Sequence, residues 1–387
     1  VSSPTRVLES RFLIPAFCVF SSRRKAGFLK TFEGEYMKTH KHLYPQVYDF
    51  ENLYLAYRKA RKGKRGRAQP AMFERVQEDE LLALQSELQN FTYKPGEYHS
   101  FYIHDPKKRL ISAAPFRDRV VHHALCRVIE PIWENRFIHD TYANRVGKGT
   151  HRALDRTQAF ARKYKYFLQC DVRQFFPSID HALLMAEFSR RIKDEQVLWL
   201  CGMILKSGVG VLAEEYEMTY FTGDDLFAAH RPRGLPIGNL TSQFWANIYL
   251  NDFDHYVKRE IKCEAYLRYV DDFLLFSNDK IELSHWRKLI VEKLAALRLT
   301  LHEECAQISP TSTGIPFLGF RVYSDHRLLK TRKAIHFRRK LQRLLKNYAE
   351  GVLDISILDQ TIKSWINYVG YGDTWGLRRS MLGNVTL

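Results

Sequence analysis

The chain has 387 residues, a formal net charge of +17 and a pI near 9.5. Its length calls for two or three subdomains, and 45% hydrophobic residues are enough for a core. So basic a chain, with 13% aromatic residues, points to a polyanion partner, most simply nucleic acid. Six scattered cysteines without a Cys-x-x-Cys pair speak against a zinc site or disulfide framework and fit a reducing cytoplasm. No apolar run reaches transmembrane length, so no membrane partner is expected.

Residues 1–43 read as an N-terminal extension. The first methionine is Met37, and Glu33-Gly34-Glu35-Tyr36 is a tract that a purine-rich ribosome-binding site would encode. Residues 1–36 are therefore expected to lie outside the folded domain. Tyr44 to Arg61 places Val47, Phe50, Leu53 and Tyr57 at helical spacing. It runs into a basic tract with Arg58, Lys59, Arg61, Lys62, Lys64, Arg65 and Arg67, interrupted by Gly63 and Gly66. Residues 72–90 form a second amphipathic helix. Phe101 to Leu125 reads as a basic hairpin turning near Pro106 and leading into a helix. Its Lys108, Arg109, Arg117 and Arg119 are candidate triphosphate contacts, because Arg forks match phosphate oxygens and Lys adds a point charge.

Tyr166 to Cys170 reads as a buried strand ending at Asp171, and Ser178 or Asp180 caps the helix that follows. A carboxylate at the end of a core strand is costly unless paired or bound to metal. Residues 209–231 carry five acids and read as a solvated insertion without catalytic duty. Arg231 to Gln243 contains Gly234, Pro236 and Gly238, which fix a turn and permit close backbone approach to a ligand. A helix with Trp245, Ile248, Tyr249, Phe253 and Tyr256 on its apolar face follows. Ala265 to Phe276 reads as strand, tight turn, strand, with Asp271 and Asp272 at the tip of a buried hairpin. Residues 285–299 form an amphipathic helix, and Ile315 to Tyr323 reads as strands bent at Gly319. From residue 326 onward the chain reads as a small basic helical domain. There Phe337, Leu341, Leu344, Leu345 and Tyr348 share one helical face, and Arg338 and Arg339 lie off it, suited to a nucleic-acid backbone.

Asp171, Asp271 and Asp272 supply enough carboxylates to hold two Mg²⁺ ions, the arrangement phosphoryl transfer needs. Lys108-Arg109, Asp171 with Phe176 five residues on, Gly234 to Gly238 with Ser242-Gln243, Tyr269-Val270-Asp271-Asp272 and Phe317-Leu318-Gly319-Phe320 stand in one order. That series resembles the motifs of reverse transcriptases, from about Tyr44 to the C-terminus. The resemblance implies an α+β right-hand polymerase, with fingers and an antiparallel-sheet palm over 44–325 and a helical thumb over 326–387. It implies a metal set of Asp171, Val172, Asp271 and Asp272, with Mn²⁺ as a substitute for Mg²⁺. It implies dNTP contacts at Lys108, Arg109, Arg117, Phe175, Phe176, Ile237 and Gly238, Phe176 being the gate against a ribose hydroxyl. Primer and template would meet Tyr269, Val270, Gln243, Arg338 and Arg339. Template RNA, the RNA/cDNA duplex and dNTPs are the implied partners.

Ile237-Gly238 and Ser242-Gln243 stand where many of these enzymes have Gln-Gly and Ser-Pro. That pattern is similar to the reverse transcriptases of diversity-generating retroelements, as are Ser364-Trp365-Ile366 and Asp373 to Arg379. This implies a template-repeat RNA copied with errors at adenines, and a basic oligomeric accessory protein. Cys305 stands where related sequences often carry Lys. A group II intron or phage-defence reverse transcriptase, or an RNA-binding scaffold that no longer polymerises, are the alternative readings.

Overall fold

The computed structural model describes residues 38–104 and 108–383. The expected extension, residues 1–36, lies outside this range. His40 forms a parallel bridge with Ile192, and Asp194 Oδ2 accepts the Leu43 and Tyr44 N–H groups at 2.6 and 2.9 Å. The folded unit therefore opens at Thr39.

Asp49 breaks the expected first helix into α1 (Tyr44–Tyr48) and α2 (Phe50–Arg61) by capping α2, its carboxylate accepting the Asn52 N–H at 3.2 Å. Leu53 and Tyr57 go into the core, whereas Phe50 stays exposed. Val76 divides the next segment into α3 (Ala68–Arg75) and α4 (Gln77–Gln89). Strands β1 (His99–Ile103) and β2 (Arg109–Ala113) pair antiparallel, and α5 (Phe116–Glu134) runs from the hairpin into the core. Helix α6 (Thr150–Lys163) precedes the central strand β3 (Tyr166–Arg173). After it come α7 (Phe175–Ser178), α8 (His181–Arg191) and α9 (Glu195–Ser207). Asp180 caps α8 as expected, accepting from the Ala182 and Leu183 N–H groups.

The acidic insertion is largely exposed, as expected of a solvated segment, but it is pinned at one point: the Asp224 side chain is buried and pairs with Arg298 at 2.8 Å and Arg231 at 3.2 Å. The Tyr102 hydroxyl donates to Glu215 at 3.0 Å, and Arg173 pairs with Glu217. Helices α10 (Leu240–Tyr249) and α11 (Asn251–His255) then lead to the hairpin of β4 (Tyr266–Tyr269) and β5 (Asp272–Ser277). Helix α12 (Lys280–Ala296), β6 (Thr300–Leu301) and β7 (Ile308–Pro310) complete the main sheet.

That sheet is antiparallel, in the order β4-β5-β3-β6, with β7 also pairing β3. Alternation along β3 divides its residues between two faces. Leu168, Cys170 and Val172 enter the main core with α5, α8, α9 and α10. Phe167, with Leu274 and Phe276 of β5, enters a second cluster beneath α6. That cluster is closed by β8 (Ile315–Phe317) and β9 (Phe320–Val322), which with β10 (Arg327–Leu329) make a three-stranded sheet. The C-terminal helices α13 (Thr331–Ala349), α14 (Ile355–Val369) and α15 (Trp375–Leu382) pack round Phe337 and Trp365, stacked at 4.0 Å. The fold is α+β, as expected. Among the described residues no helix is long and apolar enough to cross a membrane.

Candidate active site

Asp171 and Asp272 are direct partners across the β3–β5 ladder. Directly opposed residues in an antiparallel pair project to one face, so both carboxylates share the face whose far end is packed by Phe167, Leu274 and Phe276. Gln169, two residues back on β3, donates to Asp272 at 3.1 Å. Burial, together with the nearby Asp171 and Asp271 carboxylates, pushes the Asp272 carboxyl up to about 7, against the Gln169 hydrogen bond. Lys330, at the start of α13, faces Asp272 electrostatically, and burial lowers its own pKa.

Asp271 lies in the two-residue turn between Tyr269 and Asp272, which pair with each other. Such turns need positive φ, normally supplied by Gly, Asn or Asp. Here Val270 takes φ 60°, uncommon for a β-branched residue. The Asp271 carbonyl accepts the Val172 N–H at 3.3 Å, and the Asp171 carbonyl accepts the His302 N–H at 2.8 Å. The turn is thereby tied to β3, and β3 to the segment after β6. Val172 itself is buried in the main core, leaving only its backbone near the carboxylates.

The donor set suits a divalent cation: hard oxygens on adjacent strand positions, one with its charged form disfavoured by its neighbours. Among the described residues no three ligating side chains are already arranged round one metal position.

The segments expected to meet substrate are joined to one another by hydrogen bonds to the backbone. The Leu235 N–H reaches the Phe176 carbonyl at 2.9 Å, and the Ser112 N–H reaches the Ile237 carbonyl at 2.8 Å. Asn239 Oδ1 accepts the Ala114 N–H at 3.0 Å, and its amide donates to the Ser112 carbonyl. The turn carrying Ile237 and Gly238 thus lies between the Phe176 segment and β2. Gly238 has φ 121°, and a Cβ there would press on Ile111 Cγ2 at 3.0 Å, so glycine is required. Ile237 is half-buried, and Gly238 and Gln243 are exposed.

Phe176 is half-buried and edge-on to Phe175 at 5.5 Å. Phe175 is 2% exposed, and its side chain backs the Phe176 ring from the core. Lys108 and Arg109 are exposed at the hairpin, with the Lys108 ammonium 4.1 Å from the Tyr102 ring centre. The Arg117 fork is taken up by Glu87 at 2.8 and 2.9 Å and by Glu80 at 3.0 Å, which ties it to α4. The Tyr269 hydroxyl lies 3.1 Å from Thr150 Oγ1. Arg338 and Arg339 are exposed on α13.

The sequence reading missed Gln169, Lys330 and Arg268. Gln169 was legible as the residue two before Asp171, hence on its face. Arg268 sits in β4 and is wholly buried against Asp254.

Residues 97–322 match the family described as reverse transcriptase (RNA-dependent DNA polymerase). Protein YkfC of Escherichia coli (strain K12) is 26% identical over 318 residues, covering 69% of this chain and 79% of YkfC. Group II intron-encoded protein LtrA of Lactococcus lactis subsp. cremoris is 26% identical over 234 residues, or 59% of this chain; the chain spans only 37% of LtrA. Among solved structures, an apo telomerase from Candida tropicalis aligns with a TM-score of 0.43 at 11% identity, covering 63% of this chain and 59% of that one. With the family match spanning more than half of its length, the chain belongs to the reverse transcriptases.

Proposed function

We propose that this chain is an RNA-directed DNA polymerase of the diversity-generating retroelement type, copying a template-repeat RNA into cDNA with errors at template adenines. The observation that carries the polymerase reading is the pairing of Asp171 with Asp272 on one sheet face beside the Asp271 turn. Asp171, Asp271 and Asp272, with the backbone of Val172, would hold two Mg²⁺ ions, or Mn²⁺ in their place. When bound, such ions neutralise charge on phosphate oxygens during phosphoryl transfer.

The chain's own residues supply position. Lys108 and Arg109 would hold the triphosphate, and Phe176, steadied by Phe175, would exclude a 2′-hydroxyl. Tyr269, Val270 and Gln243 would lie at the primer and template, and Arg338 and Arg339 would follow the duplex backbone. Ile237 supports the retroelement type. Where Gln would offer a hydrogen bond near the nascent base pair, Ile offers none, so discrimination against a mispair weakens. A basic oligomeric accessory protein belongs to this reading.

Primer extension with Mg²⁺ on an RNA template tests the class. The Asp271→Asn/Asp272→Asn variant should extend nothing, and equal extension by wild type and variant would sink the polymerase reading. Ile237→Gln should lower misincorporation opposite template adenine; an unchanged error spectrum refutes the retroelement type. The similarity to LtrA favours a group II intron-type enzyme as the second reading. Flanking DNA separates the two, because a near-duplicate repeat differing mainly at adenines belongs to the retroelement alone.

A further inference from the structure

The Asp271 turn combines an unfavourable conformation with an unusual support. Val270 holds φ 60° without the freedom of glycine. Directly behind it, Arg268 is 1% exposed by its side chain and Asp254 is fully buried. The guanidinium donates Nε to Asp254 Oδ1 at 2.8 Å and a second nitrogen to Oδ2 at 2.7 Å. Its remaining nitrogen donates to Asn247 Oδ1 at 3.1 Å and to the Val270 carbonyl at 2.8 Å. Asp254 also accepts the Tyr266 hydroxyl at 2.7 Å, and Asn247 donates to the Ala143 carbonyl at 2.9 Å. The Arg268 backbone is fixed as well, with N–H to the Asp140 carbonyl at 2.9 Å and carbonyl to the Tyr142 N–H at 3.0 Å.

A buried ion pair is not in itself a source of stability, since hydrophobic residues of similar volume often replace one without loss. What such residues cannot reproduce is the bond to the Val270 carbonyl. That carbonyl belongs to the peptide joining Val270 to Asp271. Fixing it fixes the peptide plane, and with it the direction in which the Asp271 side chain leaves the backbone.

We propose that Arg268, held square by Asp254 and Asn247, is a positioning residue for Asp271: it locks the Val270–Asp271 peptide and so sets the direction in which the Asp271 carboxylate leaves the turn beside Asp171 and Asp272. The inference rests on the polymerase reading above. Lysine shows why arginine is needed, because one ammonium cannot grip Asp254 at two points and also reach Val270.

Two full-length variants test it, Arg268→Lys and the charge-free Arg268→Met/Asp254→Leu. Each is measured for thermal melting, primer–template affinity by fluorescence anisotropy, single-turnover primer extension, and Mn²⁺ binding by electron paramagnetic resonance. A folded variant should bind primer–template as wild type does. Its extension rate should fall about 100-fold, the order expected for a reacting group displaced by an ångström. Mn²⁺ should bind at least about tenfold more weakly, a loss of about 1.4 kcal/mol. Wild-type Mn²⁺ binding in a folded variant overturns the proposal. Failure of both variants to fold also overturns it, because Arg268 would then serve the fold alone. Should wild type extend no primer, the polymerase reading fails, while the Mn²⁺ comparison still decides the positioning of Asp271.

Discussion

Gly319 is the residue where the strand bend meets the C-terminal helices, and Gly319→Ala tests how they are joined. Gly319 has φ 89°, and a Cβ there would overlap the Tyr368 hydroxyl of α14. That hydroxyl donates to the Leu318 carbonyl at 3.1 Å, while the Gly319 carbonyl accepts the Lys330 N–H at 3.0 Å at the head of α13. Holding an L-residue at positive φ costs about 1–2 kcal/mol. Displacing the Tyr368 hydroxyl forfeits a hydrogen bond worth about 1 kcal/mol. Gly319→Ala should therefore cost about 2–3 kcal/mol, a fall in melting temperature of about 3–4 °C for a chain of this size. Tyr368→Phe alone should cost about 1 kcal/mol. In the double variant the overlap is gone and the lost hydrogen bond is counted once, so its cost should equal that of Gly319→Ala alone. The assay is a double-mutant cycle by chemical denaturation, with a coupling of about 1 kcal/mol expected. Additive costs, or a Gly319→Ala protein as stable as wild type, would refute the reasoning.

Arg117→Ala should lower stability by about 1 kcal/mol, its three hydrogen bonds being discounted for solvent exposure, and should leave the KM for dNTP within about twofold. A tenfold rise in KM would return Arg117 to the triphosphate. His122 is buried with Nδ1 unpartnered among the described residues, and burial pushes its pKa down to about 3. Its folded value lies below the unfolded one, so the stability tied to its neutral form is complete above about pH 6.5 and is lost as pH falls. At pH 5 the loss should be about 2 kcal/mol, and His122→Gln should remove that part of the acid sensitivity. Melting curves at pH 7 and pH 5 that shift equally in both proteins contradict this.

Local patterns were legible in the sequence where local chemistry decides. Runs of apolar and aromatic residues marked β3 and the β4–β5 hairpin, and Ser178 or Asp180 marked the start of α8. The helical spacing of Val47, Phe50 and Leu53 ran straight through Asp49, whose carboxylate starts a new helix by accepting the Asn52 N–H. Long-range charge pairing was not legible. Nothing near Arg117 announces Glu80 and Glu87, which lie 37 and 30 residues away. An arginine in β4 reads as a solvated edge until Asp254 is seen beneath it. The insertion looked soluble because its acids are many, but Asp224 is hidden by Arg298, 74 residues on.

Arg268 also sets an order of assembly. During synthesis Asn247 and Asp254 emerge 21 and 14 residues before the base that neutralises them. At ribosomal speeds of about 5–20 residues per second, Asp254 waits roughly one to three seconds for its partner. Over that interval α11 cannot settle on its core without dehydrating an unpaired acid. Arg268 removes this obstacle, and its bonds tie β4 to the 140–142 segment and to the Val270 carbonyl of the turn that follows it. Asp171 is synthesised far earlier than Asp271 and its own ladder partner Asp272, so the carboxylates cannot gather before those two emerge. A nascent chain therefore carries its first aspartate for many seconds without a site able to bind metal or nucleotide.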